Sequence, residues 1–113
     1  MDRGDLLFAP FPYSDLRGRK RRPVCVVSSL AYSRGPDVIV AMVTSSQTRV
    51  AQPGLGDAAL KDWQQAGLRQ PSVVRAGRLL VIEHRLLSSG LGQLSQRDLA
   101  AVDVGLKAAL GLP

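Results

Sequence analysis

Arg22 stands at the mouth of one apolar run of this 113-residue chain, Thr44 at the end of another and Arg75 on a third. Two arginines and a hydroxyl suit a phosphate. Guanidinium donates two parallel hydrogen bonds to phosphate oxygens and stabilises the charge that grows in a pentavalent transition state, while a threonine hydroxyl adds a donor. Taken alone, the same three residues also fit plain strand ends facing water. Other reactions find less support. The nine acidic residues are scattered, with no pair at metal-ligand spacing near a histidine, so neither a metal nor a cofactor is expected. A single histidine, His84, rules out a two-histidine ribonuclease mechanism, and no nucleophile-elbow motif is present to recruit it into a serine triad. His84 reads instead as a strand-end residue. Gly54-Leu55-Gly56 lacks the third glycine of a dinucleotide loop and reads as a turn. The lone Cys25 cannot form an internal disulfide, has no Cys/His set for zinc, and lies in an apolar strand that suits an inert thiol.

Charge narrows the choice of partner. Five of the fifteen basic residues, Arg17, Arg19, Lys20, Arg21 and Arg22, fall within six positions, and without them the net charge drops from +6 to +1. A local basic patch points to a polyanionic partner, the plain alternative being a solvated loop. With 45% hydrophobic and 21% charged residues, and a mean hydropathy of +0.04, the chain is expected to fold as one domain over 1–113. Its longest uncharged stretches, such as 23–33 and 38–48, have 11 residues, well short of the roughly 20 that span a bilayer. The start of the chain leads into a few apolar residues broken by Pro10 and Pro12, which is no secretory signal. The expected location is therefore the cytosol, with no membrane partner.

The elements that must position these residues are mostly strands. Residues 6–11 read as a strand entering the basic loop, and the consecutive apolar residues Val24, Cys25, Val26 and Val27 as a central strand covered on both faces. Residues 38–43 form a second buried strand ending in the polar run Thr44-Ser45-Ser46-Gln47, where a fixed scaffold can present a site. The stretch 52–67 carries turn residues, with Asp62 placed to cap a short helical turn ending at Gly67. Residues 72–75 and 78–83 read as two further strands separated by Ala76-Gly77, a tight turn or bulge. Ser95-Gln96-Arg97-Asp98 is a capping box for a final helix with Leu99, Val102, Leu106 and Leu110 at helical spacing. The residues alone thus imply a mainly β, α+β protein whose antiparallel sheet is closed or nearly closed, with the helix packed on it.

Several motifs in order carry a family resemblance. Arg3-Gly4-Asp5-Leu6-Leu7, then Phe11-Pro12-Tyr13-Ser14-Asp15-Leu16, then Arg21-Arg22-Pro23-Val24-Cys25-Val26-Val27-Ser28 resembles the N-terminal signature of the MazF/PemK family of toxin endoribonucleases. Val43-Thr44-Ser45 resembles that family's strand-end motif. Asp62-Trp63-Gln64-Gln65-Ala66-Gly67-Leu68 and Pro71-Ser72-Val73-Val74-Arg75 resemble its PemK-like branch, and Leu91-Gly92-Gln93-Leu94-Ser95 fits before the helix.

The resemblance spans nearly the whole chain. It implies a compact SH3-like antiparallel β-barrel with a C-terminal α-helix, a homodimer, a cognate antitoxin partner, and metal-independent cleavage of single-stranded RNA at short sequences. The family's catalytic arginine and threonine fall on Arg22 and Thr44, and the arginine assigned to the site in some members falls on Arg75. Attack of the ribose 2′-hydroxyl on the adjacent phosphate would leave a 2′,3′-cyclic phosphate and a 5′-hydroxyl. Guanidinium, with a pKa above about 12, is a poor general base, so the proton acceptor is left open. Some members carry an aspartate two positions after the arginine matching Arg75, where this chain has Gly77. Asp15, by its loop, is then the nearest carboxylate. Tyr13, Asp15, Arg17, Arg19, Lys20 and Arg21, with the strand-end Ser45, Ser46 and Gln47 and with Arg75, make up the expected RNA-binding set. Two other functions compete: a CcdB-like gyrase poison on the same barrel, and a non-catalytic nucleic-acid-binding module.

Overall fold

Runs of β-branched residues separated by glycine, proline and serine set out five strands among the described residues, and all of them join one antiparallel sheet. A computed structural model describes residues 1–10 and 21–113. The strands are β1 (Leu6–Pro10), β2 (Arg21–Val26), β3 (Asp37–Thr44), β4 (Asp57–Ala59) and β5 (Val73–Glu83), in the order β1-β2-β3-β5-β4. Val24, Cys25 and Val26 are all fully buried, as a strand covered on both faces requires. Because side chains alternate along a strand, the sheet builds two apolar clusters. One holds Leu6, Cys25, Ala41, Val43 and Val74 together with Val102 of the final helix. The other holds Ala9, Val24, Val26, Val38, Val40 and Ile82 on the opposite face.

The mainly β reading with a C-terminal helix holds, but the named strands do not close into a ring. Strands β1 and β4 stand at the two ends of the order. The outer edge of β1 is covered by the chain that follows β5: Phe8 and Ser88 exchange backbone hydrogen bonds of 2.8 and 2.9 Å, and the Leu6 N–H donates to the Gly92 carbonyl at 2.9 Å. These are single bridges because Gly90, at φ 138°, breaks the extended run between them.

Strand β5 also departs from expectation, being one strand of 11 residues where two are suggested. Ala41 pairs with Leu79 and Met42 with Arg75, so residues 76–78 bulge out without ending the strand. The Ala76 N–H finds a partner off the ladder, in the Gly56 carbonyl at 2.8 Å. That bulge braces the turn before β4, a three-residue strand hidden in the turn-rich segment and formed because residues 73–75 offer it an edge. Asp62 does begin a set of turns, with Ala66 N–H donating to its carbonyl at 3.2 Å, and they end at Gly67 with φ 91°.

Among the described residues three helices follow: α1 (Leu30–Ser33), α2 (Gln47–Ala51) and α3 (Gln96–Leu110). A single 3-10 turn, His84–Leu86, holds His84 just beyond β5. Helix α3 starts as expected, with Ser95 Oγ accepting from the Asp98 N–H, and stops at the left-handed Gly111. The capping box is only half formed. Asp98 turns inward instead, 2% exposed, and its two carboxylate oxygens accept from the Lys61 and Asp62 N–H groups at 2.9 and 2.8 Å. It thereby ties the helix to the middle segment. Further along, α3 lies so close to the turn before β4 that a Cβ on Gly105 would stand 2.7 Å from the Gly56 carbonyl oxygen. Among the described residues no helix is long and apolar enough to cross a membrane.

Candidate functional site

The site begins at a missing hydrogen-bond donor. In β2 the Val26 N–H bonds to Asp5 of the neighbouring chain segment, and the Val27 N–H bonds to Ile39 of β3. Backbone groups alternate sides along a strand, so residues 23, 25 and 27 face β3. Pro23 therefore sits where the next N–H toward β3 would be and has none to give. The β2–β3 pairing stops one residue short of it, at Val24 opposite Met42. Carried two residues further, the same register sets Arg22 across from Thr44, both with the parity of Val24 and Val40 and so on the face away from α3.

At this broken rung lies a cleft of about 860 Å3. One wall is made by Arg22, Pro23, Val43, Thr44, Ser45 and Ser46. The other comes from residues 67–70 and Ser72, with Phe8, Gly90 and Leu91 at the end. The second wall is held in place by backbone bonds from Gly67 N–H to the Gln64 carbonyl and from Gly92 N–H to the Ala66 carbonyl, and by Ser72 Oγ donating to the Gln70 carbonyl at 2.9 Å.

Arg22 is half-buried, and among the described residues its Nε is a buried donor without a hydrogen-bond partner. A buried unpaired donor costs about 1–3 kcal/mol, more on a charged group, so its persistence beside an open cleft marks a group kept for a ligand. Thr44 Oγ1 accepts from the Ser46 N–H at 3.2 Å, which orients the side chain and leaves its hydroxyl proton to donate. Arg69 lines the facing wall as a second guanidinium. Sequence reasoning overlooked it, although Arg69-Gln70 is a polar pair between the turn glycine Gly67 and the Pro71-Ser72 entry into β5. Among the described residues, no carboxylate or imidazole lines the cleft. An arrangement of two guanidiniums and several hydroxyls can hold and neutralise a phosphodiester.

Not every candidate residue gathers there. Arg75 donates through Nε to Asp57 Oδ1 at 3.2 Å and does not line the cleft. The Asp57 carboxylate, 2% exposed, also accepts from the Gly54 N–H at 2.8 Å and faces Arg49 Nη1 at 3.7 Å. Arg21 is exposed but fastened: Nε donates to Ser88 Oγ at 3.1 Å, and Nη2 to the Phe8 and Leu86 carbonyls at 3.2 and 2.5 Å. It pins the start of β2 to the chain after β5. Ser45 and Ser46 line the cleft, whereas Gln47 lines a smaller hollow beside it. Tyr13, Asp15, Arg17, Arg19 and Lys20 lie outside the described residues. Cys25 is fully buried, and burial pushes its thiol up to about 12, in keeping with an inert role.

A cleft lined by cations at the break in an antiparallel sheet defines a small α+β protein shaped to hold an anion. Over residues 2–110 the sequence matches the family described as the PemK-like, MazF-like toxin of type II toxin-antitoxin systems. The chain belongs to that family. Its fold is similar to that of an endoribonuclease in complex with its cognate antitoxin from a mycobacterial species, at a TM-score of 0.80 and 23% identity over 100% of this chain and 97% of that one. It is likewise similar to a MazE–MazF complex from Deinococcus radiodurans, at 0.74 and 25% identity over 100% and 97%. The MazF of the same organism gives 0.73 and 26% over 99% and 97%. No curated protein matches the sequence.

Proposed function

We propose that this toxin is an endoribonuclease that cuts single-stranded RNA in the cleft between β2 and β3, with Arg22 and Thr44 as its catalytic residues. The observation that carries this reading is the buried, unpartnered Nε of Arg22 at the broken rung opposite Thr44. The ribose 2′-hydroxyl oxygen attacks the adjacent phosphorus. The bond from phosphorus to the 5′-oxygen breaks as the new one forms, and that oxygen takes a proton from the Arg22 guanidinium, which solvent restores, giving a 2′,3′-cyclic phosphate and a 5′-hydroxyl. Arg22 clamps the phosphate and stabilises the charge gathering on its oxygens, and Thr44 donates to the same group. Arg69, from the facing wall, holds a phosphate of the same strand by charge and fork geometry.

The proton of the 2′-hydroxyl needs an acceptor, and the described lining holds no carboxylate. Asp15 is assigned that role, and an Asp15→Asn variant that cleaves at full rate removes it. The basic run 17–22 follows further phosphates, which makes RNA binding weaken steeply with salt. The partners of this reading are a cognate antitoxin whose acidic, apolar tail covers the cleft and a second copy of the chain, all in the cytosol.

The test incubates the purified protein and its Arg22→Ala variant with a long single-stranded RNA in EDTA, followed by mapping of the fragment ends. Cleavage at a repeated short sequence, with cyclic phosphate ends and loss in the variant, is the expected result. RNA that stays intact with folded wild-type protein overturns the reading and turns attention to a gyrase poison or a non-cleaving RNA-binding protein.

A further inference from the structure

We infer that the smaller hollow beside the cleft is a nucleobase subsite that reads one base of the RNA strand next to the cut, an inference that rests on the nuclease reading above. The hollow has a volume of about 400 Å3, within the range of roughly 300–1,000 Å3 typical of small-ligand pockets. Ser45 and Gln70 line both it and the main cleft, so a strand held at Arg22 and Thr44 reaches it without crossing a barrier.

The two compartments differ in chemistry. The main cleft carries the guanidiniums of Arg22 and Arg69, whereas the remaining lining of the hollow is Gln47, Val50, Ala51 and Pro71, with no charged side chain among the described residues. A phosphate there would find no counter-charge among the described residues. A base has an apolar face and a polar edge, and the hollow matches both parts. Val50 and Ala51 of α2, with Pro71 across from them, offer apolar contact to a flat ring. The exposed side chains of Gln47 and Gln70 each present an amide donor and an amide acceptor, the pairing that reads a base edge with two hydrogen bonds. Among the described residues no aromatic side chain lines the hollow, so amide pairing is what the described lining offers to discriminate between bases.

The experiment cleaves a randomised single-stranded RNA pool with wild-type protein and with Gln47→Leu and Gln70→Leu, then sequences the fragment ends. Leucine keeps the side-chain bulk and removes the amide. Both variants are expected to lose roughly tenfold of their base preference at the same single nucleotide position, with the preferences at other positions kept. An RNA with an abasic sugar at that position checks the assignment on unaltered protein. It should be cut roughly tenfold more slowly by the wild type, while the loss is far smaller for Gln70→Leu. Cleavage with every positional preference unchanged in both variants overturns the subsite and leaves the nuclease standing. Wild-type protein that leaves RNA intact overturns the nuclease and the subsite together.

Discussion

In the proposed mechanism two side chains lining the cleft at an interrupted rung, Arg22 and Thr44, carry the chemistry, and each makes a separable prediction. Arg22→Lys keeps the charge but loses the planar fork, so cleavage should fall by about 10²–10³-fold. Thr44→Val removes one hydrogen bond to a charged group, worth about 1.5–3 kcal/mol, or roughly 10–100-fold in rate. Urea denaturation should show both variants about as stable as the wild type, since among the described residues Arg22 Nε has no partner to lose and Thr44 holds the local turn to Ser46. A rate loss that tracks lost stability instead would make both residues structural. Arg22 and Thr44 were legible in the sequence because a charged residue before Val24 and a hydroxyl after Val43 break conspicuous apolar runs. Arg69 was not, because nothing in a polar segment tells which turn folds back over a strand end 25 positions earlier in the chain, at Thr44. Arg75 shows the reverse: its position in the motif is legible, but the carboxylate of Asp57 that takes its Nε lies on a strand too short to read.

At the scale of elements, the wall of the cleft depends on how α3 grips the middle segment. Asp98→Ala leaves the Lys61 and Asp62 N–H groups without acceptors, at about 1–3 kcal/mol for each buried one, so unfolding should come about 2–4 kcal/mol earlier in a urea titration. Gly105→Ala adds about 1 kcal/mol of helix propensity but drives a methyl group against the Gly56 backbone, an overpacking cost of about 1–3 kcal/mol. The melting temperature should therefore fall despite the better helix former. Near the start of α3, the Arg97 guanidinium and the Ser95 hydroxyl hold the Asp62 carboxyl well below the usual carboxylate range. A depressed folded value adds stability that is fully present above the unfolded value near 3.8 and is lost as pH falls toward the folded value. The stability gap between wild type and Asp62→Asn should thus be constant at neutral pH and narrow below 3.8, remaining modest because Arg97 is exposed. A gap unchanged down to pH 3 contradicts the pairing. The capping serine and terminal glycine of α3 could be read from spacing, but the inward turn of Asp98 could not, since its partners lie 36 and 37 residues away. The sequence leaves a turn or a bulge open at Ala76-Gly77, and that a single strand runs through the bulge is not legible for a similar reason. The bulge's unmatched residues are stabilised by Gly56, a residue remote in sequence.

In the whole molecule, the helix covers one face of the sheet and the cleft opens at the strand ends, lined from both faces. Val102 of α3 closes the face holding Cys25 and Ala41, which leaves Arg22 and Thr44 on the other face at a rung that Pro23 prevents from forming. The class of fold could be read from strand periodicity and one capped helix. Whether the sheet closed could not, because the cover on β1 comes from single bridges at Ser88 and Gln93 rather than from a strand with a pattern of its own. The central claim is that this rung holds a phosphodiester while its own 2′-hydroxyl attacks it. The most direct measurement replaces that one hydroxyl by hydrogen, at the nucleotide 5′ to a mapped cut in a short single-stranded RNA, and follows binding and cleavage with EDTA present. The deoxy substrate should bind as tightly as the all-ribose strand and remain uncut. Cleavage of the deoxy strand at the same phosphate would contradict the account, since the nucleophile would then have to come from water or from the protein.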